Sequence, residues 1–375
     1  FYTLLAISTC LFDEPSFQNC LVLGLVQDKD GLKMSKHKGN VVDPWSVLDK
    51  QGADAVRWYF YTGSMPWLPS RFSPEAVSEA QRKFMGTFWN TYAFYVLYAD
   101  IDGFDPTAHA LRRENLSPMD KWILSRLNSL VKAVDAYLGD IRITEAGREL
   151  QRFIDDLSNW YVRRCRERFW AQGMSSDKTD AYMTLYTALV TVSKLAAPMI
   201  PFMTEDIYRN LVCSVDKSAP ESVHLCDYPV ADAAYIDKAL EERMNEALNI
   251  VVLGRAARNG ANIKNRQPLG KMFVRADEAL GGEYAEIIRD ELNVKELEFV
   301  DGEADFVSYS FKPQLRTVGP KYGKLLGGIR QALTDINGTA AMNELRTNGV
   351  LKLDINGNDV ELTEEDLLIE TAQTE

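Results

Sequence analysis

The spacing of apolar residues changes twice along the chain and predicts three regions of different structure. In the first region, residues 1–73, short apolar runs alternate with turn signals, which is typical of a domain that mixes strands and helices. Asp43 and Pro44 predict a helix start, because aspartate caps free N–H groups and proline fits the first helical position. The predicted elements are an apolar helix at 2–12, a buried strand at 20–27, a turn at 28–31 and helices at 43–52 and 54–61.

The second region, residues 74–231, has apolar residues at helical spacing over long stretches. Long helices with short links predict an α-helical bundle. The aromatic run of Phe84, Phe88, Tyr92 and Tyr95 follows this spacing and is expected in the bundle core. The predicted helices span residues 74–98, 117–138, 144–170 and 179–195.

The third region, residues 232–375, returns to short segments and predicts a small C-terminal α/β module. Asn356 and Gly357 lie between two strand-like runs and predict a hairpin, because both residue types accept the positive φ that a tight turn needs. The predicted helices are 236–259, 284–292 and 325–335, and the predicted strands are 272–275, 296–300, 306–311, 350–355 and 359–362.

Composition and charge narrow the classes of function. Hydrophobic residues make up 46% of the 375 positions, which is enough for real cores, and the net charge is −12. A protein that binds nucleic acid with its whole surface would be basic, so any RNA contact must come from local basic patches. No apolar run is long enough to span a membrane and no signal peptide is visible, so we expect a cytoplasmic protein without a membrane partner. Because the first residue is Phe1 and not Met, we expect a part of a longer protein.

Cysteine usage gives no sign of a metal site. The five cysteines are widely spaced and none belongs to a CxxC pair. This pattern is typical of reduced thiols in a cytosolic protein. We therefore expect no zinc and no other metal bound by this segment.

A loop rich in lysine is the most informative stretch of the chain. It contains Lys33, Lys36 and Lys38, and Gly31 and Gly39 flank it and would let it move. Lysine is a compact and flexible point charge, so such a loop can stabilise the charge that develops on a triphosphate when its α-phosphate is attacked. The alternative is an ordinary solvated turn, and these residues alone leave both open.

The exact string of the loop resembles a known signature. Lys-Met-Ser-Lys-His, followed by Gly-Asn and Asp-Pro, resembles the Lys-Met-Ser-Lys-Ser motif of class I aminoacyl-tRNA synthetases. The resemblance implies that Lys36 is the principal catalytic phosphate contact, that Lys33 is an accessory one, and that ATP arrives with Mg²⁺. His37 stands where serine is usual, and its partial protonation would make the loop sensitive to pH. The implied ATP-binding residues are Lys33, Met34, Ser35, Lys36 and His37.

Further segments are similar to isoleucyl-tRNA synthetases, in particular to their eukaryote-like group. Residues 159–170, Asn-Trp-Tyr-Val-Arg-Arg-Cys-Arg-Glu-Arg-Phe-Trp, are close to a segment of that family. The resemblance implies the end of a Rossmann-type catalytic domain at 1–73, a helical anticodon-binding domain at 74–231 and a C-terminal module at 232–375. The other similar segments are residues 1–5, 119–128, 197–207, 266–269, 291–295 and 312–323.

The helix predicted over 144–170 has an arginine-rich face. At 100° per residue, Arg163, Arg166 and Trp170 lie opposite the apolar stripe. Guanidinium groups beside an exposed indole suit RNA phosphates and unpaired bases, and with the resemblance they are the predicted tRNA contacts. The alternative is a solvated face with salt bridges. Arg164 and Arg168 lie nearer the apolar side and are expected to pair with acids such as Asp155 or Glu205. The predicted core stripe consists of Leu150, Ile154, Leu157, Tyr161 and Cys165.

The resemblance implies an isoleucine-tRNA ligase, which activates isoleucine with ATP and transfers it to isoleucine tRNA. The His-Ile-Gly-His element of the family and its inserted editing domain are not among these residues, so we expect this chain alone not to form the adenylate, and isoleucine to bind only the full-length enzyme. Two alternatives stay open. One is a valyl or leucyl enzyme of the same class, and the other is a non-catalytic tRNA-binding module.

Overall fold

The computed structural model describes residues 1–276, 279–300 and 307–373, which fold as two units, Phe1–Glu242 and Arg243–Glu375. Helices dominate the first unit, and its two short strands, β1 (Val26–Gln27) and β2 (Ser70–Arg71), pair in parallel. Its helices are α1 (Tyr2–Phe12), α2 (Pro44–Gln51), α3 (Ala53–Thr62), α4 (Pro74–Gln81), α5 (Thr87–Asp102), α6 (Pro118–Gly139), α7 (Ile143–Asp156), α8 (Arg163–Trp170), α9 (Ser176–Ala196) and α10 (Pro201–Tyr208), while α11 (Lys238–Gly260) contains the unit boundary.

Side-chain caps begin the helices where the sequence predicts them. The Asp43 carboxylate accepts hydrogen bonds from the N–H groups of Trp45 and Ser46 and begins α2. Ser73 caps α4 in the same way, and Ser117 begins α6 in a capping box. A proline follows each of these caps, as the predicted helix starts require.

Two of the long predicted helices are continuous but contain a wider turn. Helices α4 and α5 join through a π-helical segment, Arg82–Gly86, and α7 and α8 join through another, Leu157–Val162. A π turn inserts one residue into a helix, so it rotates the face that follows without breaking the rod. The prediction of an unbroken helix over 144–170 is confirmed.

The aromatic run of the first bundle helix lies in the core, as predicted. Phe84, Phe88, Tyr92 and Tyr95 are all buried. Phe84 also stacks on Trp58 of α3, with ring centroids 3.8 Å apart. The apolar packing of the bundle therefore continues into the α2–α3 region that follows the lysine loop.

The predicted buried strand at 20–27 is wrong in extent and in burial. Only Val26 and Gln27 pair as a strand, and Leu23 and Leu25 are exposed. A strand is buried when neighbours cover both of its faces. Among the described residues β1 pairs with the short strand β2, and Gln27 forms a single bridge with Lys33. Helix α1, predicted from its apolar run, is confirmed, but none of its side chains is buried.

The second unit combines helices with paired strands. Strands β3 and β4 pair in parallel, β5 pairs antiparallel with β8, and β6 and β7 form the predicted hairpin. Its turn residues Asn356 and Gly357 both have positive φ, at 54° and 79°. The predicted residue Phe306 lies outside the described residues. The elements are β3 (Leu269–Val274), α12 (Glu283–Leu292), β4 (Val294–Phe299), β5 (Val307–Pro313), α13 (Leu315–Tyr322), α14 (Leu326–Asp335), α15 (Gly338–Asn348), β6 (Val350–Ile355), β7 (Asn358–Thr363) and β8 (Leu367–Gln373).

The hairpin packs against helices in a separate core of this unit. Phe311, Ile329 and Leu351 are members of that cluster and are almost fully buried. No helix in the described part of the chain combines the length and the apolar character that a membrane span needs.

Candidate functional site

The lysine loop follows β1 and leads into α2. Lys33, Lys36 and Lys38 are exposed, and none of them forms an ion pair with a carboxylate among the residues that the structure describes. Residues Lys36–Lys38 form a short 3₁₀ turn that ends at Gly39, whose φ of 66° is left-handed. The loop therefore presents three positive charges to solvent, and His37 beside them is also exposed.

Met34 anchors the loop in an apolar cluster. Its half-buried side chain packs against a small core that includes Val47 of α2, Ala55 of α3 and Val77 of α4. Burial of a thioether on one side of the loop holds the backbone there, while the flanking lysine side chains stay outside. Met34 thus has a packing role, which differs from that of the charged residues beside it.

A carboxylate and an amide close the base of the loop. The Asn40 Nδ2 atom donates to Asp28 Oδ2 at 2.6 Å, and Asn40 Oδ1 accepts from the Ser35 N–H at 2.9 Å. The hydrogen bond from Asn40, together with the backbone N–H groups of Leu32 and Asp30, holds the pKa of Asp28 below its usual range. Neither residue is among the predicted site residues. In the sequence, Asp28 is a carboxylate at the end of a predicted strand and Asn40 directly follows the loop glycine.

The arginine-rich helix has the two faces that its periodicity predicts. The stripe of Leu150, Ile154, Leu157, Tyr161 and Cys165 is buried. On the other side Arg163, Arg166 and Trp170 are all exposed. The structure therefore brings the three predicted RNA contacts to one face of α8.

Cations and aromatic rings are neighbours on this face. The Arg166 guanidinium lies 5.8 Å from the ring centre of Trp170, and that of Arg163 lies 5.4 Å from the ring centre of Trp160. The indole N–H of Trp170 donates to the Tyr98 hydroxyl at 2.7 Å, while 54% of the residue is exposed. The hydrogen bond fixes the N–H edge of the indole, and the exposed part of the ring is accessible to a base or to solvent.

The expected partners of Arg168 are wrong. Arg168 donates to both carboxylate oxygens of Asp120, at 2.9 and 2.8 Å, and also contacts Asp177. Asp120 is fully buried at the start of α6, where it needs a cation, whereas Glu205 accepts from Ser222 and Val223 instead.

This buried pair fixes α8 against α6. Burial opposes the charge on Arg168, but the hydrogen bonds and the charge of Asp120 outweigh it and raise the pKa of the guanidinium. The Tyr161 hydroxyl also donates to Asp120, at 2.6 Å. Arg168 is therefore committed to the fold, which leaves Arg163 and Arg166 as the cations of the outer face.

Two family models match the chain. One, described as the anticodon-binding domain of tRNA ligase, matches residues 120–273, and the other, described as tRNA synthetases class I (I, L, M and V), matches residues 1–66. The lysine loop lies within the second match and the arginine-rich face of α8 within the first.

Curated relatives match over almost the whole chain. The isoleucine–tRNA ligase of Clostridium acetobutylicum is 56% identical over 98% of this chain and 36% of its own length, and that of Clostridium kluyveri is 52% identical with the same coverage. The isoleucine–tRNA ligase of Deinococcus radiodurans is 42% identical over 100% of this chain and 34% of its own length. The chain thus spans about a third of the length of these relatives.

Proposed function

We propose that the chain is part of an isoleucine–tRNA ligase and that it supplies the phosphate-binding loop and an RNA-binding surface for the ligation of isoleucine to its tRNA. One observation carries the proposal for the loop: Lys33 and Lys36 are exposed and without a described ion pair in a loop that keeps the class I signature. The named relatives are isoleucine–tRNA ligases, which does not favour the valyl or leucyl alternative.

In the proposed reaction the loop acts by charge. The isoleucine carboxylate attacks the α-phosphate of ATP, and negative charge grows on the phosphate oxygens as pyrophosphate leaves. Lys36 is the main contact to those oxygens and Lys33 assists, while Met34, Ser35 and His37 complete the ATP-binding segment. Ammonium groups bind phosphate oxygens and cannot ligate a metal cation. Mg²⁺ would therefore arrive bound to ATP, and the two lysines would not hold it.

Phosphate binding tests the loop. We expect Lys36→Gln to weaken the binding of inorganic tripolyphosphate and of Mg-ATP to the 375-residue chain about tenfold, or ~1.4 kcal/mol, because one of the converging cations is lost. Isothermal titration calorimetry at low salt measures the affinity. The matched control is Lys50→Gln, which removes an exposed lysine from α2 outside the loop. Equal affinities of the two variants would contradict the proposed role of Lys36.

For the RNA surface we propose that Arg163, Arg166 and Trp170 contact the anticodon region of isoleucine tRNA. The exposed, cation-lined indole of Trp170 supports this, since base stacking on an aromatic ring contributes about 1–3 kcal/mol. The acidic remainder of the chain makes a local contact of this kind necessary for RNA binding.

Filter binding tests this surface with two RNAs, isoleucine tRNA and the same tRNA with a swapped anticodon. We expect Trp170→Ala and Arg166→Gln each to weaken the binding of isoleucine tRNA, Trp170→Ala by about tenfold, and to reduce the preference over the swapped RNA. Lys132→Gln, an equal change of charge on an exposed position of α6, is the control. If both RNAs bind the parent chain equally, anticodon recognition by this chain is wrong.

We also propose the finer organisation of the chain. Residues 1–73 form the end of a Rossmann-type catalytic domain, 74–231 the anticodon-binding bundle, and 232–375 a C-terminal α/β module of the same family. The similarity to isoleucine–tRNA ligases over 98% of the chain supports the last assignment. We propose a cytoplasmic location, where tRNA and ATP are both available.

A further inference from the structure

Asp28 and Asn40 stand at the two ends of the lysine loop and are bonded to each other. Asp28 follows β1 directly and is buried, with 7% of its surface exposed. Its Oδ1 atom accepts from the backbone N–H of Leu32 at 2.8 Å, and its Oδ2 atom accepts from the Asn40 side chain at 2.6 Å. The residue before the loop and the residue after it are therefore held together by side chains.

Asn40 also binds the inner side of the loop. Its Oδ1 atom accepts from the Ser35 N–H at 2.9 Å, and its Nδ2 atom lies 3.3 Å from the Lys33 carbonyl oxygen. Along the chain these backbone groups lie between the Lys33 and Lys36 side chains. The left-handed Gly39 turns the chain so that Asn40 can reach them.

The result is a closed ring with its cations on the outside. Asp28 and Asn40 form the closure, and Lys33 and Lys36 belong to the enclosed segment with exposed side chains. Closing a segment restricts its conformations, and charges that are held in place before a ligand arrives lose less entropy when it binds. The ring thus limits where the two ammonium groups can lie.

We propose that Asp28 and Asn40 are positioning residues that set the lysine loop for phosphate binding, a role that rests on the proposed function of Lys33 and Lys36. Neither residue touches the phosphates. Asn40 acts through the Lys33 carbonyl and the Ser35 N–H, and Asp28 acts by orienting the Asn40 amide. Both atoms of that amide are used, so a carboxylate in its place keeps the acceptor and loses the donor.

The loss of this donor can be tested with a variant whose phosphate affinity should depend on pH. Asn40→Asp places a second carboxylate against Asp28, and two carboxylates at this distance share a proton as the pH falls to about 5. The other charged groups nearby are Asp30 on the turn and Arg71 of β2, whose guanidinium lies 3.2 Å from the Cβ that a side chain at Gly31 would have. The phosphate probe and every residue except position 40 are the same in both experiments, so the ratio of variant to parent affinity isolates the effect of the substitution.

The experiment measures tripolyphosphate binding to the full chain by calorimetry between about pH 7.5 and about pH 5, the range over which the shared proton forms. We expect Asn40→Ala to weaken binding about tenfold at every pH. Asn40→Asp should be equally weak at the upper end, and its affinity relative to the parent should rise several-fold toward the lower end. Asn90→Ala, at an exposed asparagine of α5, should leave binding unchanged.

Hydrogen exchange at the Ser35 amide gives a second readout of the ring. We expect this amide to exchange faster in Asn40→Ala than in the parent, because its acceptor is gone. Unchanged tripolyphosphate binding by Asn40→Ala, or a ratio for Asn40→Asp that does not vary with pH, would overturn the positioning role alone. A parent chain that binds no tripolyphosphate would instead overturn the proposed function of the loop, and the inference with it.

Discussion

Cys165 shows how the inward side of the arginine-rich helix controls the chemistry of single residues. Its thiol lies among the buried side chains of the bundle, and burial raises its pKa to about 11. At pH 8 only about one such thiol in a thousand is ionised, and the thiolate is the reactive form. Cys10 and Cys20, in contrast, are exposed.

Alkylation should therefore separate these cysteines. At pH 8 we expect iodoacetamide to label Cys10 and Cys20 in the native chain and to spare Cys165 until denaturant is added. Mass spectrometry of the digested peptides measures each site. Labelling of Cys165 at the rate of Cys10 without denaturant would contradict the burial of this face.

For single residues, the sequence predicts whether a side chain is exposed better than it predicts which residue the side chain pairs with. The outward position of Arg163 and Arg166 and the burial of Cys165 follow from helical periodicity alone. The pairing of Arg168 with Asp120 does not, because the two lie 48 residues apart and meet only after the helices pack. The Asp28–Asn40 hydrogen bond joins residues on either side of the lysine loop, and helical periodicity does not specify the path of that loop.

Helix α10 begins with a cap that another helix provides. Its own N-cap residue, Ile200, has no side chain that can accept a hydrogen bond. Asp54 of α3 accepts from the N–H groups of Met203 at 2.7 Å and Phe202 at 3.4 Å. Arg57, one turn further along α3, donates to the carbonyl oxygen of Pro198 at 2.8 Å. Two side chains of α3 thus satisfy both backbone ends of the turn between α9 and α10.

Removing this cap should destabilise the first unit. We expect Asp54→Ala to lower the free energy of unfolding by about 1–2 kcal/mol, as the loss of a helix cap does, and Asp54→Asn to lower it less because an acceptor remains. Urea unfolding followed by circular dichroism measures the difference. Asp49→Ala, at an exposed position of α2, is the control, and an equal effect of both alanine variants would contradict the capping role.

Among the elements, the helices with local start signals are predictable and the short α10 is not. Caps at Asp43, Ser73 and Ser117 specify their helices in neighbouring residues. Helix α10 has eight residues and takes its cap from 149 positions away, so no window of sequence contains its start signal. The strand predicted at 20–27 fails for a related reason, since apolar content alone does not say whether a partner strand is present.

At the scale of the whole molecule, the first 26 residues expose many large apolar side chains. Most of the large hydrophobic side chains in this segment are exposed. A folded unit seldom exposes so many of them close together in sequence. The exposed ones include Phe1, Tyr2, Leu4, Ile7, Leu11, Phe12, Val22, Leu23 and Leu25.

These exposed side chains should bind hydrophobic dyes. We expect the 375-residue chain to raise the fluorescence of anilinonaphthalene sulfonate strongly, and the double variant Leu4→Ser, Leu11→Ser to lower that signal by about half, because both side chains lie exposed on α1. Ser8→Ala, also on α1, is the control. Dye binding that is weak in the parent, or equal in the double variant, would contradict this prediction.

The hydrophobic spacing and the turn residues of the chain predict its architecture in outline. Helical spacing over 74–231 predicts the bundle, and the Asn-Gly turn predicts the hairpin of β6 and β7. The partners of β3, β5 and β8 depend on residues far apart in sequence, and periodicity carries no information about such pairing.

The fluorescence of Trp170, whose indole is hydrogen-bonded to Tyr98, can report RNA binding by this chain. The indole is held at its N–H edge while half of its surface faces solvent. Its emission should respond to whatever stacks on it, since a nucleobase in contact with an excited indole quenches it. The chain has seven tryptophans. The difference in emission between the parent and Trp170→Phe during an RNA titration would isolate the contribution of Trp170. The side chain that is proposed to contact the RNA can thus report the rate of RNA binding.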